Sequence, residues 1–276
     1  MRETLDLFVE LAPGVRRLLA PNPSLMTGPG TNTYLIGVHE IAVVDPGPAQ
    51  AGHLASIVGR AGGPIRWVLA THTHPDHSPG VAALAARTGA QVLGMPAPAG
   101  RHQDTSFVPD RVLSDGDRLV TGEFELAAVH TPGHASNHLC FRHRATDWLL
   151  TGDHIIEGST VVIDPPDGNM RDYLSSLARV RALSPAALLP GHGDRIDDPG
   201  RVIDSIVAHR LARERAVRGA LDSHPDSSAA ELVPVVYADV GRHLHGWAER
   251  SLTAHLIKLA GDGIAVERHG RWRLAG

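Results

Sequence analysis

Four side chains able to ligate a metal, His72, His74, Asp76 and His77, fall within the stretch LATHTHPDHSPG, Leu69 to Gly80. Neutral imidazole and carboxylate suit zinc, and two histidines one residue apart can aim at one ion from an extended or looped backbone. Three more candidates stand at similar places: His134 in HTPGHASNH, Asp153 in LLTGDH and His192 in LLPGHGD. Each follows an apolar run and a turn containing glycine. Strand ends that gather at one edge of packed sheets can converge although they are far apart in the chain. Five histidines and two aspartates are enough for two ions with one shared ligand and positions left for solvent. The chain has 18 histidines; most of those elsewhere, His53, His143 and His255 among them, read as lone surface residues.

These side chains need rigid elements beneath them. The run Trp67–Ala70 is short and apolar, as a buried strand should be. Ser78-Pro79 before GVAALAAR reads as an N-cap and first helical turn. GVRRLLA, TNTYLIG and HEIAVVDPG are expected strands, and Ala49–Ala61 a helix with Leu54, Ile57 and Val58 on one face. A strand series follows: AQVLG, RVLS, DRLV, FELAAVHT, HLCFRH and DWLLTGD. Helices are expected over Met170–Ala182 and Pro199–Leu221, with the strand AALLPG between them. Beyond the turn at Ser223–Ser228, helical patterns over Ala229–Val240 and Gly246–Ala260 lead to a hairpin with His269-Gly270 at its tip. Two helices and a two-stranded ribbon make a winged-helix pattern, so the expected division is 1–222 and 223–276.

The 276 residues, 42 % apolar and 20 % charged, suit a soluble globular protein. A net charge of −4 exerts no global pull toward nucleic acid or anionic membrane. The single cysteine, Cys140, excludes an internal disulfide and a cysteine metal cage, and its apolar strand context reads as core. Lys258 is the only lysine, so no phosphate-cradling P-loop and no Schiff-base lysine are expected. The start, MRETLDLFVELAPG, lacks the apolar stretch of a signal peptide, and no run is long enough to span a bilayer. A cytoplasmic location is the default expectation.

THTHPDH resembles the His-x-His-x-Asp-His motif of the metallo-β-lactamase superfamily, with TPGH, TGD and PGHG where its remaining ligands are expected. The resemblance covers roughly Val15 to Leu221. It implies an α+β fold, an αββα sandwich with metals at one edge between the sheets. It further implies that His72, His74 and His134 hold one ion, that Asp76, His77 and His192 hold the second, and that Asp153 bridges them. Two zinc ions are implied, with iron or manganese as alternatives. The best-known zinc β-lactamases carry a cysteine where Asp153 stands, which argues against antibiotic hydrolysis as the primary role. GTNTYLIG, GDHII, MRDYLSSLARVRAL, LPGHGDRIDDP and HRLARER, with the winged-helix-like tail, look like the lactamase-beta-2-like branch.

The expected chemistry is hydrolysis by a hydroxide shared between two metals, with Asp76 orienting it and accepting a proton. Asn32 and Thr33 follow a Pro/Gly-rich loop; Asn32 is expected either to donate to a substrate oxyanion or phosphate or to tie down a turn. His154 is expected either behind a metal ligand or buried and satisfied by backbone. The resemblance leaves two substrate classes. One is single-stranded RNA, cut by an endoribonuclease; from Arg242 onward six basic residues face three acids, a surplus suited to phosphates, with Arg250, Lys258, Arg271 and Arg273 the cations expected to contact them. The other is a small thioester, ester or lactone, as in glyoxalase-II-like relatives. For the tail, the alternative to binding RNA is packing against the catalytic domain or against the second subunit of a homodimer.

Overall fold

Asn32–Ile36 and Ile41–Val44 are buried at every position, which requires their sheet to be covered on both faces. The computed structural model describes residues 8–276; the N-terminal reading above falls largely outside that range. The first sheet contains β1 (Phe8–Ala12), β2 (Val15–Leu19), β3 (Asn32–Ile36), β4 (Ile41–Val44), β5 (Ile65–Leu69), β6 (Gln91–Gly94) and β7 (Arg111–Val112), side by side in that order. β1 to β4 pair antiparallel, and β4 to β7 parallel. The parallel half is crossed by α1 (Ala51–Arg60) and α2 (Gly80–Thr88). The second sheet contains β8 (Arg118–Val120), β9 (Glu125–His130), β10 (Leu139–His143), β11 (Trp148–Gly152) and β12 (Ala187–Pro190), and α3 (Met170–Leu183) links its last two strands.

Strand alternation sorts the layers. Ile36, Ala42, Val44, Leu69 and Leu93 pack against Leu126, Leu139, Phe141, Leu150 and Leu189 of the second sheet. Their neighbours Leu35, Ile41, Val43 and Val68 face the other way, onto Leu54 and Ile57 of α1 and Val81 and Leu84 of α2. On the far side, Val129, Cys140, Leu149 and Leu188 meet Tyr173, Leu177 and Val180 of α3 and Ile203 and Ile206 of α4 (Pro199–Ser223). The layers run αββα.

The tail is built from α5 (Ala229–Val236), a 3-10 turn (Arg242–Leu244), α6 (His245–Gly261) and the ribbon β13 (Ala265–Arg268) and β14 (Arg271–Leu274). His269 and Gly270 both take positive φ, 53° and 76°, as a two-residue hairpin turn requires. α4 passes without a break to Ser223, and its last turns give Val217, Ala220 and Leu221 to the tail's core beside Leu232, Leu252, Leu256 and Leu259. The tail also leans on the two-sheet domain. Arg250 pairs with Asp164 at 2.8 Å, Arg171 pairs with Asp262, and Ser251 Oγ accepts from Ile163 N at 3.3 Å.

Three local expectations are corrected. Ser78 does not cap α2; it donates to Asp104 at 2.7 Å, and the helix starts after Pro79 with no side-chain cap. α5 stops at Val236, four residues short of the expected end. His53, His143 and His255 are buried, at 4 %, 5 % and 0 % exposure, where surface positions were expected.

Candidate metal centre

The C-terminal ends of strands from both sheets meet at one edge. β5 delivers the loop with His72, His74, Asp76 and His77; β9, β11 and β12 deliver His134, Asp153 and His192. The seven side chains converge as two groups. In one, His72 Nε2 and His134 Nε2 each lie 3.0 Å from His74 Nδ1. In the other, Asp76, His77, Asp153 and His192 bring one ligand atom each to within 4.8 Å of the rest. Asp153 faces both: Oδ1 is 3.3 Å from His77 Nε2 and from His192 Nε2, while Oδ2 is 3.7 Å from His134 Nε2.

What lies behind the rings fixes their tautomers. His77 Nδ1 donates to Asp45 Oδ2 at 2.9 Å, His134 Nδ1 to Val162 O at 2.8 Å, and His192 Nδ1 to Gly30 O at 3.1 Å. The opposite nitrogen of each ring points into the site, and on losing its proton it offers a lone pair there. Buried polar atoms normally have partners. Yet His77 Nε2, His192 Nε2 and Asp153 Oδ1 are buried with no hydrogen bond. Orphaned acceptors grouped around a point, with no thiolate among them, fit hard-to-borderline divalent ions such as zinc, manganese or iron(II).

Electrostatics agree. Burial, reinforced by the neighbouring rings, lowers His72 far below the usual histidine range and His74 to about 3, so both are neutral ligands. Burial alone would raise Asp76, but His77 and His192 outweigh it and hold the carboxyl well below its usual range. Burial would likewise lower His192, but Asp153 and Asp76 outweigh it and push the imidazole up to about 10. A divalent ion would take over that charge balance.

Glycine is needed where the strand ends crowd together. A Cβ on Gly191 would lie 2.8 Å from Asp153 Oδ1 and 2.8 Å from His77 Cε1. At Gly152, where φ is +46°, it would lie 2.5 Å from Thr71 Oγ1.

Asn32 and Thr33, for which the sequence offers both a substrate contact and a turn-holding role, are buried and bonded to backbone. Asn32 Nδ2 donates to Pro190 O at 2.9 Å and Gly193 O at 2.8 Å, clasping the turn that carries His192. Thr33 Oγ1 donates to Asp45 O at 2.7 Å. Both position ligands from behind. His154 is buried but not satisfied by backbone: neither ring nitrogen has a hydrogen bond, and burial lowers it to about 3. Cys140 is core, its thiol pushed up to about 12 by burial.

Two residues escaped the sequence reading. Asp45 accepts from Thr71 N at 2.7 Å as well as from His77; its one signal was its place at a strand end in VVDPG. His138, fully buried, accepts from Asp153 N at 3.2 Å and is tied to Thr131 Oγ1 at 2.9 Å. It sits four residues after His134, where it was masked as one histidine among many.

Residues 26–192 match the metallo-beta-lactamase superfamily, and residues 228–272 match the beta-lactamase associated winged helix domain. Beta-lactamase-like protein 2 homolog of Caenorhabditis elegans is 28 % identical over 94 % of this chain and 88 % of its own length. Atrochrysone carboxyl ACP thioesterase of Aspergillus fumigatus is 29 % identical over 91 % of this chain and 82 % of its own. The crystal structure of a beta-lactamase domain protein from Burkholderia ambifaria superposes with a TM-score of 0.83 at 25 % identity, covering 97 % of this chain and 93 % of that one.

Proposed function

The chain belongs to the metallo-beta-lactamase superfamily and is a hydrolase of that fold, and we propose that it hydrolyses small-molecule thioesters or esters with two divalent ions, zinc foremost. The observation that carries this choice of substrate lies in the tail. Of the cations expected to take phosphates, Arg250 is paired with Asp164 at 2.8 Å, Lys258 with Glu214 at 3.0 Å and Asp262 at 2.9 Å, and Arg271 with Glu231 at 3.2 Å. Three of the tail's six basic residues are thus matched to carboxylates and have less to offer a phosphate backbone, while Arg242, Arg268 and Arg273 are exposed with no ion pair among the described residues. The likeness to a protein named as a thioesterase supports the same reading.

His72, His74 and His134 would hold one ion, Asp76, His77 and His192 the other, with Asp153 shared. Ions there would polarise an acyl oxygen and bring the pKa of a water to about 7. Asp76 is the most exposed member of its group, at 27 %, and turns Oδ2 to His77 and His192. We assign its Oδ1 the orientation of the attacking water and the acceptance of its proton. Water adds to the acyl carbon and the C–S or C–O bond breaks. The proton passes to the leaving sulfur or oxygen, which yields a carboxylic acid and a thiol or alcohol.

The test sets metal-loaded protein, with chelated protein as control, against acyl thioesters, aryl esters, lactones and single-stranded RNA. Metal-dependent acyl hydrolysis is expected, falling at least about 100-fold in Asp76→Ala. RNA cleavage without acyl turnover would overturn the reading in favour of an endoribonuclease.

A further inference from the structure

A cleft of about 470 Å³ runs from His134, Asp153 and His192 outward between the two domains. That size falls in the range of sites enclosing a small organic ligand, roughly 300–1,000 Å³. One wall is the loop after β2; the other is the tail, where Tyr237, Val240, Leu244 and Trp247 line it. We infer that this cleft is an acyl subsite, in which the winged-helix domain supplies the wall that receives an apolar acyl or aryl group. The inference rests on the hydrolase reading above and adds which part of the substrate goes where.

Two observations converge on it. Exposed apolar side chains cluster at this mouth: Leu25 is 79 % exposed, Met26 41 % and Trp247 37 %. Such a patch beside a reactive centre marks a binding surface. Leu25 and Met26 do not hang on a loose loop. Asn22 Oδ1 accepts from Thr31 N at 2.9 Å and Thr27 Oγ1 donates to Asn22 O at 2.6 Å, which closes the loop on itself.

Secondly, of the two arginines on the lining, Arg213 is matched to a carboxylate. Arg210 donates to Val161 O, and Arg213 donates to Val236 O at 2.8 Å and pairs with Asp239 at 2.6 Å. The exposed acid Glu157 adds negative charge to the same lining. Arg210 is 3 % exposed and meets no carboxylate among the described residues, so the apolar character of this cleft rests on Leu25, Met26, Val240, Leu244 and Trp247, where a hydrocarbon would lose only water.

The experiment uses straight-chain acyl thioesters of N-acetylcysteamine from acetyl to decanoyl, with the metal-loaded full chain. kcat/KM is expected to rise roughly fourfold per added methylene until the cleft is filled. Leu244→Arg and Trp247→Ala should each flatten that slope; Val120→Ser, an exposed change on β8, should keep it. A second readout needs no turnover: calorimetric binding of the inert thioether S-decyl-N-acetylcysteamine, expected in the parent and weakened at least tenfold in Leu244→Arg. A flat chain-length series with no thioether binding overturns the acyl subsite and leaves the hydrolase reading standing. Thioether binding that is lost in Leu244→Arg, with no thioester or ester turned over, does the reverse. If Leu244→Arg fails to fold, Trp247→Ala decides by the same two readouts.

Discussion

Asp153 offers one oxygen to His77 and His192 and the other to His134, so a single carboxylate serves both donor groups. Asp153→Ala is therefore expected to lower metal content at both positions together while far-ultraviolet circular dichroism stays unchanged. Two full equivalents by elemental analysis would show that Asp153 is not shared. Asp45 acts from behind through His77 Nδ1. Asp45→Asn should weaken metal binding by roughly 10- to 100-fold in a chelator competition, the usual cost of losing such a support. Gly191→Ala should do as much by pressure alone, since its Cβ would contact Asp153 and His77. At this scale the seven candidate ligands were legible because each follows an apolar run at a strand end. Asp45 and His138 were not. Their roles are defined by contacts across 32 and 15 positions of chain, and no local pattern announces such contacts. Asn32 was read with its purpose left open, since sequence cannot say whether an amide faces solvent or a carbonyl.

Periodicity located nearly every strand and helix, because two covered sheets demand continuous apolar runs and amphipathic helices demand one apolar face. It failed at ends. Ser78 has the chemistry of a cap but meets Asp104 instead, and α5 contains Pro234 and stops at Val236, before Tyr237, which packs into the tail's core. The capping box at Ser228, with Glu231 returning the bond, is a local device that can be removed cleanly. Ser228→Ala should cost about 1 kcal/mol, read as a lower midpoint for unfolding in denaturant. Cutting the chain after Ser223 should do more damage than losing a domain. Val217 and Leu221, now buried against Leu232, Leu252 and Leu256, would face water. The truncated protein is expected to self-associate in light scattering, and polar replacements at both positions to restore a monodisperse species.

For the whole molecule, the ion pairs of the tail set up a contrast between binding and stability. Arg250, Lys258, Arg271 and Arg273 were the cations expected to meet phosphates, and the first three are matched within the protein. Replacing all four with alanine should leave the salt dependence of RNA binding nearly unchanged and lower the melting temperature. A slope shallower by roughly 0.7 per substituted side chain, in fluorescence polarisation, would return RNA to consideration. The unbroken passage of α4 from one core into the other has a further consequence, for exchange of parts between relatives. A helix turns about 100° and advances about 1.5 Å with each residue. Inserting one residue into α4 between Ile206 and Val217 would swing the whole tail through that angle and carry Trp247 and Leu244 away from the metal edge. Chimaeras that graft a different winged helix onto this catalytic domain must keep the residue count through α4, as a screw thread must keep its pitch. The chain's two modules are interchangeable in register and not merely in order.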